Sequence, residues 1–140
     1  MVDPAGFLLD SNVLSEPLRP APSPRLLARL EEHQNRLFTS STVWHELHFG
    51  VERLARGRRR LAIEAYLAEL AASELVILPY QADAAQWHAG ERARLQREGL
   101  TPAFADGQIA AVAHVNGLVL VTANLSDFAH FEGLHLANWL

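Results

Sequence analysis

Short apolar runs alternate along this chain with longer stretches whose apolar residues recur every three or four positions. GFLLD at 6–10 is apolar up to a carboxylate, then meets the turn-favouring Ser11 and Asn12, so it reads as a fully buried strand of the kind found in parallel sheets. RLFTS, LVILP and the start of LVLVTANLSDF are further short strands, and LHLANW a brief fifth. Between them, LRPAPSPRLLARLEEHQ places Leu26, Leu27 and Leu30 at helical spacing behind Ser23 as N-cap and Pro24 as the first helical residue. A second helix is expected from Ser41 or Thr42 to about Ala55, ending near Gly57. RRRLAIEAYLAELAAS carries apolar residues at 61, 63, 66, 67, 70 and 71, a helix with one face to the core. ADAAQWHAGERARLQREG is an amphipathic helix stopped by Gly99, and PAFADGQIAAVAHVNG an alanine-rich one with Gly117 beyond its end.

Strands alternating with helices over the whole length imply an α/β fold with a mainly parallel sheet of four to five strands. The 140 residues suit one domain, 1–140, with no repeat, low-complexity tract or linker. In such sheets ligands bind outside the carboxyl ends of the strands, where the strand order reverses. That rule gives the strand-ending Asp10 a location.

Composition narrows the chemistry. The chain has no cysteine, which removes disulfides, thiolate metal sites and a cysteine nucleophile, and a reducing cytoplasm fits. The N-terminal MVDPAG lacks the basic stretch of a secretory signal, and no apolar run approaches the roughly 20 residues of a membrane span. All 12 basic residues are arginine, so the Walker A lysine and Schiff-base chemistry are absent. A net charge of -4 argues against a broadly basic nucleic-acid surface, though local patches can oppose it.

The acidic residues then stand out by position. Of the five aspartates (3, 10, 83, 106 and 127), Asp10 ends the first strand, Asp127 follows the fourth, and Asp106 lies in the first turn of the helix leading into that fourth strand. Glu46 falls three after Val43 and four before Gly50, which puts it on the inward stripe marked by Val43, Leu47, Gly50 and Leu54. A carboxylate there is costly unless something cationic or hydrogen-bonding meets it. Taken singly, Asp10 is a helix N-cap, Asp106 a first-turn carboxylate and Asp127 a turn residue. Together they would repel and raise one another's pKa until a hard divalent cation resolved the repulsion, and such a site suits phosphodiester hydrolysis.

In order, LLDSNVLSE, TVWHELHFGVERL, FADGQIAAVAHVNGLVLVTANLSDF and LHLANW resemble the PIN-domain ribonucleases, and more narrowly the VapC-family toxins of bacterial type II toxin-antitoxin pairs, from Phe7 to Trp139. The resemblance implies a PIN-like α/β fold, a central mainly parallel sheet flanked by helices on both faces. It implies an acidic site that binds Mg2+ or Mn2+ and cleaves single-stranded RNA, leaving a 5′-phosphate and a 3′-hydroxyl. By motif, Asp10, Glu46 and Asp106 take the family's acidic positions; TANLSDF leaves the fourth open between Asn124 and Asp127. Asn12 and Thr122 match polar positions that support the metal shell or position water. The partners implied are RNA, a small VapB-like antitoxin that blocks the site, and a second copy of the chain, giving a homodimer and a heterotetramer or larger assembly with antitoxin. The rival within this family is a PIN-like domain that binds RNA or a partner without cutting it, should Asn124 have cost the site a metal.

Other classes fit less well. HELH at 45–48 is not the metalloprotease motif, since position 49 is Phe49, and His45 and His48 read as surface or interface residues. A phosphoacceptor signalling domain needs a late lysine, and a haloacid-dehalogenase phosphatase needs D-x-D where this chain has Asn12. The cluster ARGRRR ending at Arg60 suits phosphates, an acidic antitoxin segment or a solvated helix junction. Trp44, Trp87 and Trp139 read first as packing anchors, with base stacking as the alternative.

Overall fold

A computed structural model describes residues 4–140, so Asp3 lies outside the described residues. Strands β1 (Phe7–Leu9), β2 (Leu37–Ser40), β3 (Val76–Leu78), β4 (Val119–Val121) and β5 (Leu136–Ala137) form one wholly parallel sheet in the order β3-β2-β1-β4-β5. The helices are α1 (Ser11–Ser15), α2 (Pro24–Glu32), α3 (Ser41–Glu52), α4 (Arg58–Ala72), α5 (Ala82–Arg97), α6 (Phe104–Val115) and α7 (Leu125–Phe128).

β1 is central, with Leu8 in register with Phe38 on one side and Leu120 on the other. Both of its faces are covered, which is why its apolar residues are consecutive and not alternating. From β1 the chain steps outward through β2 to β3, then returns across the sheet to β4 and β5. Right-handed crossovers in opposite directions place α2 to α4 on one face and α5 and α6 on the other. The reversal lies between β1 and β4, at the end of β1 where Asp10 stands. Leu8, Val13, Leu26, Leu95, Ile109 and Leu120 are among the fully enclosed residues of the core around it.

Local chemistry sets the helix ends. Ser23 Oγ accepts the Leu26 N–H at 3.2 Å and Pro24 opens α2. Ser40, the last residue of β2, accepts the Val43 N–H at 3.1 Å and so turns strand directly into α3. Gly99 and Gly117, with φ of 79° and 66°, stop α5 and α6 in the left-handed region that side chains avoid.

The structure departs from the sequence pattern in three places. α3 ends at Glu52 and not near Ala55, its last turn tightened by a bond from the Leu54 N–H to the Val51 carbonyl. α4 buries only Leu67 fully, while Leu61 is 66% exposed, so its apolar side faces a groove more than the core. α1 and α7 are too short to show a period; Asp10 caps α1, as its N-cap reading expects, whereas the segment of Asp127 reads in sequence as a turn.

Candidate active site

Asp10 follows β1 with its backbone still in the sheet, its N–H donating to the Val121 carbonyl at 3.0 Å. Its side chain is 5% exposed and fully engaged. Oδ1 accepts the Ser11 N–H at 2.8 Å, which caps α1. Oδ2 accepts the Thr122 hydroxyl at 2.8 Å and the Asn12 amide at 3.2 Å. Thr122, just past β4, also accepts the Asn124 N–H at 3.0 Å, and Asn12 Oδ1 accepts the Ala123 N–H at 2.9 Å. Asn12 and Thr122 thus stitch the end of β1 to the end of β4, and these bonds are what makes a buried carboxylate tolerable.

The other carboxylates face Asp10 through space. Asp106, half-buried in the first turn of α6, has its pKa pushed up to about 6, first by burial and then by the charges of Asp127 and Asp10. The Glu46 pKa is raised by partial desolvation first, then by Asp10 and Asp106, with His45 opposing. Asp10, Glu46, Asp106 and Asp127 therefore share one field. Of the two candidates for the fourth position, Asp127 carries a charge that acts on Asp106 and Asn124 is neutral; both are exposed at α7.

Glu46 corrects the sequence pattern. It is exposed by surface area, as is Gly50, because α3 buries the line of Val43, Leu47 and Val51, one step round the helix. Its raised pKa comes first from desolvation by the residues packed around its stem and then from the charges of Asp10 and Asp106. It opens a largely apolar groove of about 810 Å³ between α3 and α4, lined by Leu47, Val51, Ile63, Tyr66 and Leu67.

Three supports are invisible in the sequence. Gly107, next to Asp106, lies against His88 of α5 so closely that a Cβ would fall 2.0 Å from the imidazole Nε2. His88 cannot yield, being 3% exposed and bonded to the Tyr80 hydroxyl at 2.8 Å. Burial and the Arg92 charge depress its pKa. Thr42 donates to Gln108 Oε1 at 3.3 Å, tying the helix of Glu46 to that of Asp106. Glu16, 5% exposed, accepts the Ser23 N–H at 2.8 Å and pairs with Arg19, closing the loop into α2. No spacing in the sequence signals these contacts.

Within the arginine cluster Arg56, Arg58 and Arg59 are exposed, and Arg60 is half-buried. Arg60 is spent on Glu52, Glu64 and the Leu54 carbonyl, each at 3.1 Å, so it staples the α3–α4 junction. His45 stacks on Phe49 and His48 meets Trp44 edge-on. Trp139 is buried against Phe7 and His33, and Trp87 stacks on His114.

The donor set is all oxygen, and its mutual repulsion is what a hard divalent cation relieves. Among the described residues no three His, Asp or Glu side chains form a ready-made cage. Among the described residues, no helix is long and apolar enough to cross a membrane.

Known proteins share both the sequence pattern and the fold. The PIN domain family model matches residues 7–134. The chain is 31% identical over 135 residues to Ribonuclease VapC2 of Haemophilus influenzae, covering 96% of this chain and 98% of that protein. It is 33% identical over 135 residues to the tRNA(fMet)-specific endonuclease VapC of Shigella flexneri, covering 95% and 97%. Among solved structures, the FitAcB complex from Neisseria gonorrhoeae matches with a TM-score of 0.82 at 32% identity, covering 94% of this chain and 96% of the matched chain. DNA-bound VapBC from Salmonella typhimurium matches with a TM-score of 0.80 at 30% identity, covering 96% and 98%.

Proposed function

The chain belongs to the PIN-domain family and, within it, to the VapC ribonucleases, and from that premise we propose that it is an endoribonuclease toxin acting on single-stranded RNA with a divalent cation. A small VapB-like antitoxin neutralises it, as befits a chain whose fold matches a chain of the FitAcB structure and one of DNA-bound VapBC. The observation that carries the proposal is the buried, fully bonded Asp10, placed where strand order reverses and sharing its field with Asp106 and Glu46.

Asp10, Asp106 and Asp127 would hold Mg2+ or Mn2+, with Glu46 contacting it directly or through water. A divalent ion held by these residues would supply Lewis-acid chemistry, activating a water and offsetting charge on the leaving oxygen. The protein's own contribution is placement. Thr122, Asn12 and the Ser11 N–H hold Asp10 in one rotamer, so its carboxylate keeps a fixed orientation at the end of β1. Glu46, exposed and sharing the field of Asp10 and Asp106, would orient the attacking water. Water adds to phosphorus and the P–O3′ bond breaks, leaving a 5′-phosphate and a 3′-hydroxyl. The apolar groove lined by Glu46 offers an antitoxin segment a seat that reaches this one carboxylate of the site.

The test is cleavage of a mixed single-stranded RNA pool by antitoxin-free protein, with Mg2+, with Mn2+ or with EDTA, beside Asp10→Asn. Cutting that needs both metal and Asp10 supports the proposal. Cutting that persists in EDTA or in the variant overturns the metal role.

A further inference from the structure

Between the loop before α6 and the start of α7 lies a second, smaller cleft of about 380 Å³, walled by Thr101, Pro102, Asp106, Ser126, Asp127 and His130. This is within the range of small-ligand sites, about 300–1,000 Å³. Two of its walls are carboxylates of the candidate active site. The others include two hydroxyls and an imidazole, all on exposed residues and none engaged in a hydrogen bond with another described residue.

The wall that carries His130 is held rigidly from outside the cleft. Arg94 of α5 makes two 2.9 Å bonds to Glu91 and a third, at 2.8 Å, to the His130 carbonyl. Glu91, 8% exposed, also accepts the Glu132 N–H at 2.7 Å. The Arg94 bond, with burial opposing, keeps the Glu91 carboxyl ionised by lowering its pKa. The segment is therefore clamped on both sides of the buried Phe131, and His130 keeps a fixed place beside Asp127 without using its own ring.

A strand cut at the carboxylates must continue past them, and the next nucleotide brings further negative charge towards Asp106 and Asp127. The residues that meet it must supply donors without adding anions. Hydroxyls both donate and accept, which matches the 2′-hydroxyl that distinguishes RNA from DNA. An imidazole N–H donates to a phosphate oxygen.

We infer that this cleft seats the nucleotide adjoining the bond cut, Thr101 and Ser126 meeting its 2′-hydroxyl and His130 its phosphate, so that the cleft selects RNA over DNA. The inference rests on the ribonuclease activity proposed above.

The experiment reads binding, in EDTA and at low salt, of a labelled single-stranded RNA dodecamer and its DNA counterpart by fluorescence anisotropy. Wild type is expected to prefer RNA by about 10-fold, in line with one or two hydrogen bonds. Thr101→Val/Ser126→Ala is expected to lose that preference with DNA affinity unchanged. His130→Ala should weaken both ligands about equally, and RNA should shift the His130 ring resonances of wild type. All three residues are exposed, so the variants should keep the wild-type melting temperature. A preference that survives in the double variant, or His130 resonances that RNA does not move, overturns the inference. So does a change in oligomeric state as the sole effect, which would make the cleft an interface between copies. If the preference is lost as expected but no metal supports cutting, the nucleotide seat stands and the ribonuclease proposal falls. If wild type cuts while the double variant keeps its preference, the ribonuclease proposal stands and the nucleotide seat falls. Wild type that binds no RNA removes the inference outright.

Discussion

Thr122 donates its hydroxyl to Asp10 Oδ2 at 2.8 Å although the two residues are 112 apart in sequence. The bond crosses from the end of β4 to the end of β1, and both side chains are buried. It ties the position of the central carboxylate to the register of the parallel sheet, since any slip of β4 would remove the hydroxyl from Asp10.

Thr122→Val keeps the shape and removes this donor, leaving Asp10 Oδ2 with the Asn12 amide alone. A loss of about 1–2 kcal/mol in stability is expected from the under-satisfied buried carboxylate, together with a 10–100-fold fall in cleavage through the loosened Asp10. Chemical denaturation and initial rates, read side by side, check both; an unchanged rate would mean that Asn12 suffices.

Asp10→Asn should abolish cleavage while the chain stays folded. Mg2+ is expected to raise the melting temperature of wild type more than that of the variant, because a ligand of the folded state stabilises in proportion to its binding. Equal shifts would count against Asp10 as a ligand.

Glu46 is exposed, so Glu46→Gln should change stability by no more than about 0.5 kcal/mol, yet reduce cleavage by orders of magnitude. Retained activity would leave Glu46 with no part in the chemistry beyond its place on the groove.

Gly107→Ala drives a methyl into His88 and should cost about 1–3 kcal/mol, with cleavage falling as the first turn of α6 shifts Asp106. Adding His88→Ala opens room for the methyl. The double variant should be less destabilised than the sum of the singles, and strict additivity in thermal unfolding would contradict the close packing.

The pH dependence of metal-free stability follows from Asp106. Its folded pKa of about 6 lies above the ordinary value near 3.9, so between these limits the folded protein binds more protons than the unfolded chain. Its contribution is fully present below about pH 4, and stability is lost as pH rises through 6. Asp106→Asn removes this dependence. Above pH 7 the metal-free variant should therefore be more stable than wild type by about 1 kcal/mol after allowance for solvent screening, and the gap should close below pH 4. Thermal scans from pH 4 to 8 measure it; a gap that grows on acidification reverses the sign and refutes the assignment.

The alternation of strands with the longer helices and the parallel sheet were legible in the order of the amino acids, and so was the expectation that acidic residues gather at one sheet edge. Those features rest on local rules: consecutive apolar residues for a strand covered on both faces, Ser23 and Pro24 at a helix start, Gly99 and Gly117 at helix ends, and motif spacing around Asp10, Glu46 and Asp106. How each carboxylate is used depends on packing. Whether Glu46 is buried depends on which line of α3 meets the sheet, and a stripe through Gly50 and Leu54 is as apolar in sequence as the line through Val51 that the fold buries. That the charge of Asp127 reaches Asp106 depends on the turn of α7, four residues too short to show a period. The bonds of Thr122 to Asp10, the fit of Gly107 against His88 and the Arg94 clamp on His130 join residues far apart in the chain, and only the packing of the elements brings them into reach.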